Sequence, residues 1–272
     1  MTQRSFRELH RPGHPFVLAN AWDAGSARVL AGLGAEAIAT SSAAQAFTLG
    51  RPDGGTITRD EALAHAEDLV AAVAVPVSGD FENGFSNDPD EVAQTVKLAA
   101  EVGLSGISIE DTAFPDAGAR DFDLAVECIK AAVSAARALP GDFVLVARAD
   151  GVMNGEYDLN EALKRLRAFD SAGADCLYVP CPGSIEDLKT VVAATEKPVN
   201  ALPVGPLQGL TRTDFAALGV ARISLGSLLA RSIHERLISN AVDILGQGVF
   251  STCTPAGSDR VDALLAKGAR HE

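Results

Sequence analysis

No run of eighteen apolar residues occurs in this chain of 272 residues, so it contains no signal for a membrane-spanning helix. The opening MTQRSFRELHRPGH has neither an apolar stretch nor a small-residue cleavage site. The expectation is a soluble, cytoplasmic protein. Positive charge is scarce: 23 Lys and Arg stand against 36 Asp and Glu, a net charge of −13. Nucleic acid and anionic membranes would be repelled, so neither is an expected partner. An anionic substrate would need a local cation to receive it. The four cysteines, Cys128, Cys176, Cys181 and Cys253, show no CxxC spacing, and a chain of this size needs no staples. Free thiols are expected. The turn NAWDAGS after the first strand-like run has no GxGxxG, which argues against a doubly wound nucleotide-binding sheet. Lysine is missing from strand ends: Lys97, Lys130, Lys164, Lys189, Lys197 and Lys267 fall on helices, at a strand start or in the tail. A Schiff-base nucleophile is therefore not in place. Histidine is no better positioned, since His10 and His14 precede the repeating pattern, His65 and His234 fall in helices, and His271 is next to the end.

What is present is a large apolar fraction, 47%, enough for one sizeable core. Eight strand-like runs, at 16–21, 37–42, 75–81, 106–111, 143–150, 176–181, 198–202 and 221–227, alternate with segments of helical period such as DEALAHAEDLVAAV and PDEVAQTVKLAAEVG. Phrases such as AGLGAEA, SAGADC and AALGVA sit where a helix must stop and a strand begin. Eight strand–helix units in about 250 residues is the count and length of a (β/α)8 TIM barrel, an α/β fold. The expected organisation is a single barrel domain over 1–250 and a tail over 251–272 that ends in a short amphipathic helix.

In such barrels the chemistry sits at the C-terminal ends of the strands, so polar residues closing an apolar run are the ones to collect. The second run ends in Ser41 and Ser42, the third in Asp80 and Glu82, the fourth in Glu110 and Asp111, the fifth in Arg148 and Asp150; the seventh carries Asn200. Asp80 and Glu82, two apart in VSGDFENGF, are expected on the same face of an extended strand. With Glu110 they would crowd three carboxylates around one mouth, which calls for a cation. Oxygen ligands without His or Cys select Mg²⁺ or Mn²⁺ over Zn²⁺. Solubilising acids at strand ends are the plainer account of any one of these residues. The set is harder to explain that way, because Arg148 on the same rim supplies a fork for a carboxylate.

NAWDAGSARVL, the serine pair in ATSSAA, the acid pair in GDFENGF, GISIED with FP three residues on, and VARADG resemble the isocitrate lyase/phosphoenolpyruvate mutase superfamily, in order, from about residue 16 to residue 230. That resemblance implies a (β/α)8 barrel with its last helix often exchanged between subunits, assembled as a dimer of dimers, a homotetramer. It implies Mg²⁺ at the C-terminal mouth and the making or breaking of a C–C or P–C bond beside a 2-oxo carboxylate or its enolate. Position by position, it implies that Asp80 touches the metal, that Asp53, Glu82 and Glu110 hold its waters, and that Ser41, Ser42 and the backbone of Ala43 receive a carboxylate. It further assigns Arg148 to clamping the substrate and Asn200 to contacting a carboxylate. Trp22, just past the first strand, either closes the pocket floor or simply packs. Read from the sequence alone, Asp53 in PDGG is a turn residue.

The loop after Glu110 departs from the family pattern. Lyases of the family carry a lysine-cysteine-glycine-histidine stretch there, and mutases a lysine after the proline; this chain has FPDAGARDFD, with Asp116 where lysine would stand. The loss leaves a metal-enolate core, for which cleavage or decarboxylation of an oxaloacetate-type 2-oxo acid is the most economical reaction. Arg120 is a candidate catalytic cation in the loop, or else a solvated charge. A P–C bond enzyme and a non-catalytic 2-oxo acid binder remain as alternatives.

Overall fold

The computed structural model describes residues 4–270, so His271 lies outside it. Eight parallel strands close in sequence order into a barrel: β1 (Phe16–Asn20), β2 (Ala37–Ala39), β3 (Val77–Asp80), β4 (Gly106–Glu110), β5 (Val144–Arg148), β6 (Cys176–Tyr178), β7 (Val199–Ala201) and β8 (Arg222–Ser224). β8 returns to pair with β1, Arg222 against Phe16, which completes the ring. Every expected strand is present and shorter than its apolar run, because the polar ends curl into the loops at the mouth.

The helices, in chain order, are α1 (Phe6–Leu9), α2 (Ala24–Gly32), α3 (Ser42–Thr48), α4 (Arg59–Ala72), α5 (Pro89–Glu101), α6 (Phe122–Ala138), α7 (Gly151–Asn154), α8 (Leu159–Ala172), α9 (Ile185–Ala193), α10 (Arg212–Ala217), α11 (Leu228–Gln247) and α12 (Ser258–Gly268). Most start at a side-chain cap that takes up an otherwise unpaired N–H: Asp23 for α2, Ser41 for α3, Thr58 for α4, Asp158 for α8 and Ser184 for α9.

Two apolar layers result. The larger lies between sheet and helices, where Phe81, Ile107, Ile109, Leu145, Leu166 and Phe169 are fully buried. The second fills the barrel itself with Phe16, Leu18, Val144, Val146, Cys176 and Tyr178, and α1 plugs its lower end with Phe6 and Leu9. Filling the lower barrel leaves polar side chains of the strands to collect at the upper end, which sets up the site.

The tail helix α12 packs on α2 of its own chain, so closely that a Cβ on Gly268 would fall on the Arg28 carbonyl. By contrast α11 presents Ile233, Leu237, Ile238, Val242 and Leu245 to solvent, a continuous apolar face on one long helix. All four cysteines are free thiols, two of them buried. Among the described residues no helix is long and apolar enough to cross a membrane.

Candidate active site at the barrel mouth

A cavity of about 370 Å³ opens at the C-terminal ends of the strands. Its wall over β2 and β3 is built by a strand that turns straight into a helix. Ser41 caps α3, its Oγ accepting from Ala44 N–H, and this aims the helix start at β3. Ser42 there donates from its backbone N–H and its hydroxyl to Asp80 Oδ2, at 2.9 and 2.8 Å. Thr40 Oγ1 accepts from Asp80 N–H, so the strand end is held at both its backbone and its carboxylate.

β3 stops at Asp80, and the chain then turns through Glu82 with φ 42°. The expected strand alternation between Asp80 and Glu82 does not apply: Phe81 goes to the helix layer, and a left-handed turn, not a pleat, returns Glu82 to the cavity. Such a conformation is strained for a residue with a side chain, and strain of this kind is retained where the surroundings enforce it. Here the Glu82 carboxylate accepts from Gly55 N–H at 3.1 Å.

Arg148 ends β5 and joins the acids together. Its Nη1 meets Asp80 Oδ1 at 2.8 Å, its Nη2 meets Glu110 Oε2 at 3.0 Å, and Nε and Nη2 clamp the two oxygens of Asp150. Its guanidinium also lies 5.3 Å from the Tyr178 ring centre. Asp150 is fixed in turn, since its N–H donates to Asp111, whose carboxylate receives Tyr157 Oη and Arg165.

The electrostatics follow from this crowding. Burial raises Asp53, reinforced by Asp80, and burial pushes Glu82 up to about 7, with Asp80 and Asp53 adding to it. Burial also raises Glu110 well above the ordinary carboxylate range, against the pull of Arg148. Desolvation opposes the charge on Arg148, but Asp150, Glu110 and Asp80 outweigh it and hold the group cationic. Among the described residues no three His, Cys, Asp or Glu side chains converge to cage a bare ion. The donor set fits Mg²⁺ or Mn²⁺ nonetheless. A hydrated Mg²⁺ needs only one or two direct carboxylates and keeps several waters, and its charge would favour the ionised forms of Asp53, Glu82 and Glu110, which burial and, behind it, the neighbouring carboxylates oppose.

Of the residues singled out in the sequence, Ser41, Ser42, Ala43, Asp53, Asp80, Glu82, Glu110 and Arg148 all line this cavity. Arg120 does not. It is buried under the loop, and its guanidinium donates to Asn87 Oδ1 and to the carbonyls of Asn83, Ser86 and Glu110, so the expected loop cation is a strut that ties the loop to the β3 turn. Asn200 points into the barrel below the lining, bonded to Ser224 Oγ at 2.8 Å, and Leu202, just past that strand, takes the cavity position. Trp22 is also outside the lining; its carbonyl pairs with His65 Nε2 at 2.9 Å. Asp150, collected with Arg148 at the end of the fifth run, lines the cavity too, and residues not anticipated include Asn20, Phe114, Tyr178, Arg222 and Ser224. Inward parity along β6 and β8 was the one available signal for Tyr178 and Arg222.

The loop 112–120 is folded, not loose: Thr112 pairs with Ala119, Ala113 N–H donates to the Gly118 carbonyl, and Arg120 N–H donates to the Asp111 carbonyl. Phe114 caps the cavity from this hairpin by lying on the Gly54–Gly55 turn. A Cβ at Gly55, where φ is +65°, would come within 3.1 Å of the Phe114 ring.

The family model described as phosphoenolpyruvate phosphomutase matches residues 6–245. A solved structure from Burkholderia cenocepacia J2315, described as a lyase/mutase, superposes with a TM-score of 0.90 at 44% identity, covering 96% of this chain and 94% of that one. The 2,3-dimethylmalate lyase of Eubacterium barkeri is 33% identical over 70% of this chain and 67% of its own length. An oxaloacetate decarboxylase of Rhodopseudomonas palustris (strain BisB18) is 29% identical over 76% of this chain and 72% of its own.

Proposed function

From the premise that the chain belongs to the phosphoenolpyruvate phosphomutase family, within the isocitrate lyase/phosphoenolpyruvate mutase superfamily, we propose that it is a Mg²⁺-dependent lyase of small 2-oxo dicarboxylates. An oxaloacetate-type acid, losing as carbon dioxide the carboxylate β to the oxo group, is the favoured substrate. The observation that carries this reading is the composition of the cavity. It gathers Asp80, Glu82, Glu110 and Arg148 around the start of α3, and its lining contains no His, Cys or Lys.

Asp80 would hold the metal directly, and Asp53, Glu82 and Glu110 would hold its waters. Mg²⁺, when bound, supplies positive charge at the 2-oxo oxygen, toward which the electrons of the breaking bond move. The N–H of Ala43, next to the Ser42 N–H that already donates to Asp80, suits the substrate carboxylate at the first turn of α3. Arg148, whose guanidinium is held by Asp80, Glu110 and Asp150, places its positive charge beside the same end of the substrate. Loss of carbon dioxide needs no base to remove a hydroxyl proton, whereas a retro-aldol cleavage does, and the lining offers no His, Cys or Lys for that task. A water held by Glu110 can carry the proton that replaces the departing group. Phe114 and its hairpin keep water from the reacting carbon.

The test is a screen of oxaloacetate, 2-methylisocitrate, 2-alkylmalates and phosphonopyruvate with Mg²⁺, with products identified against enzyme-free controls. Pyruvate and carbon dioxide from oxaloacetate support the reading; turnover of phosphonopyruvate alone would replace it with P–C bond chemistry. The apolar face of α11 supports assembly by exchange of that helix between subunits into a homotetramer. Light scattering of the purified protein checks the subunit count.

A further inference from the structure

The phrase ARISLGS puts Arg222 and Ser224 two apart on β8, both facing inward. The register sets Arg222 beside Asn200 on one side and Phe16 on the other. Phe16 belongs to an aromatic group with Phe6 and the buried His10, whose Nε2 is also unpaired, so the lower side of Arg222 offers two phenyl rings and an imidazole but no counter-charge. Only 4% of Arg222 is exposed, yet it lines the cavity.

Its guanidinium is unlike the other buried cations. Arg120 is satisfied by carbonyls, Arg165 by Asp111 and Glu161, and Arg148 by three carboxylates. Arg222 Nε and Nη1 have no hydrogen-bond partner among the described residues, and neither has Oδ1 of the adjacent Asn200. Asp80 is the carboxylate whose field reaches Arg222, but Arg148 and Ser42 already hold its oxygens. Arginine cannot shed its proton to escape burial, and a buried guanidinium without a counter-charge is costly. A water between Arg222 and Asn200 would supply hydrogen bonds and leave the charge unbalanced. The missing partner is an anion, and a planar carboxylate matches the fork.

We infer that Arg222 receives the second carboxylate of the substrate and so selects 2-oxo dicarboxylates over 2-oxo monocarboxylates; this rests on the 2-oxo acid reading above. One carboxylate, beside the oxo group, lies at the α3 turn and Arg148. The other reaches the β8 wall, where it balances a charge that a monocarboxylate leaves uncompensated.

The experiment is calorimetric titration, with Mg²⁺ present, of pyruvate and of the unreactive diacid 3,3-difluorooxaloacetate into the wild type, Arg222→Gln and Arg222→Lys. The wild type should prefer the diacid. Arg222→Gln should lose about tenfold or more in diacid affinity and stay within about twofold for pyruvate, since the lost contact is a charged hydrogen bond. Arg222→Lys, which keeps the charge without the fork, should fall between them, and it carries the same comparison if Arg222→Gln does not fold. Equal losses for both acids, or none for the diacid, would overturn this assignment and leave the proposed reaction standing. Binding of neither acid by the wild type would overturn both.

Discussion

Arg148 on β5 holds three carboxylates, Asp80, Glu110 and Asp150, whereas Arg222 on β8 lines the same cavity and holds none. The first is compensated by the protein and belongs to a network that positions the acids. The second is left for something that the protein does not supply. Burial alone does not separate an arginine whose charge the protein balances from one whose charge it leaves open; the state of its partners does.

Removing each cation should therefore change stability in opposite directions. Arg148→Met leaves Asp150 and Glu110 buried without their counter-charge, and it should cost about 3–5 kcal/mol in chemical denaturation, with loss of activity. Arg222→Met removes an uncompensated charge, so the ligand-free protein should gain roughly 1–3 kcal/mol, even as diacid binding is lost. A loss of stability in Arg222→Met would mean that the guanidinium is already balanced and would erase the contrast.

pH sharpens the comparison. Burial, with Asp80 and Asp53 nearby, puts Glu82 at about 7 in the folded state, above the ordinary carboxylate value. The folded chain then binds the extra proton, so ligand-free stability should decline as pH rises from about 4.5 to about 7 and level off above that. Mg²⁺ needs the ionised form, so its affinity should fall by up to about tenfold per pH unit below 7. Calorimetry at several pH values checks this, and Glu82→Gln should flatten the profile. On the barrel floor the sign reverses. Burial, then the charge of Arg222, lowers His10 to about 3. The unfolded chain takes up the proton first, so stability should fall as pH drops from about 6.5 toward 3, by roughly 1.4 kcal/mol per unit at most. His10→Phe, a ring for a ring against Phe6 and Phe16, should remove that part of the acid sensitivity.

The barrel was legible in the sequence because parallel strands covered on both faces read as continuous apolar runs, and eight of them stood between helical segments. The acids and Arg148 were legible because they close those runs. Arg222 and Tyr178 were not, since a polar residue near the start or in the middle of an apolar run reveals its direction only through the register with its neighbours. Arg120 was misplaced for a related reason: whether a loop cation faces the cavity or folds back on its own loop depends on carbonyls offered by the distant Asn83–Ser86 turn. Glu82 reached the cavity by a left-handed turn at a residue type that rarely adopts one.

The most direct test of the proposed chemistry is the rate of pyruvate formation from oxaloacetate by the wild type and Asp80→Ala, each in Mg²⁺ and in EDTA, with the enzyme-free Mg²⁺ rate subtracted. The account predicts turnover only for the wild type in Mg²⁺, with Asp80→Ala reduced by about a thousandfold, the scale of losing a central electrostatic stabiliser. Equal rates with Mg²⁺ and EDTA, or wild-type rates in Asp80→Ala, would contradict it.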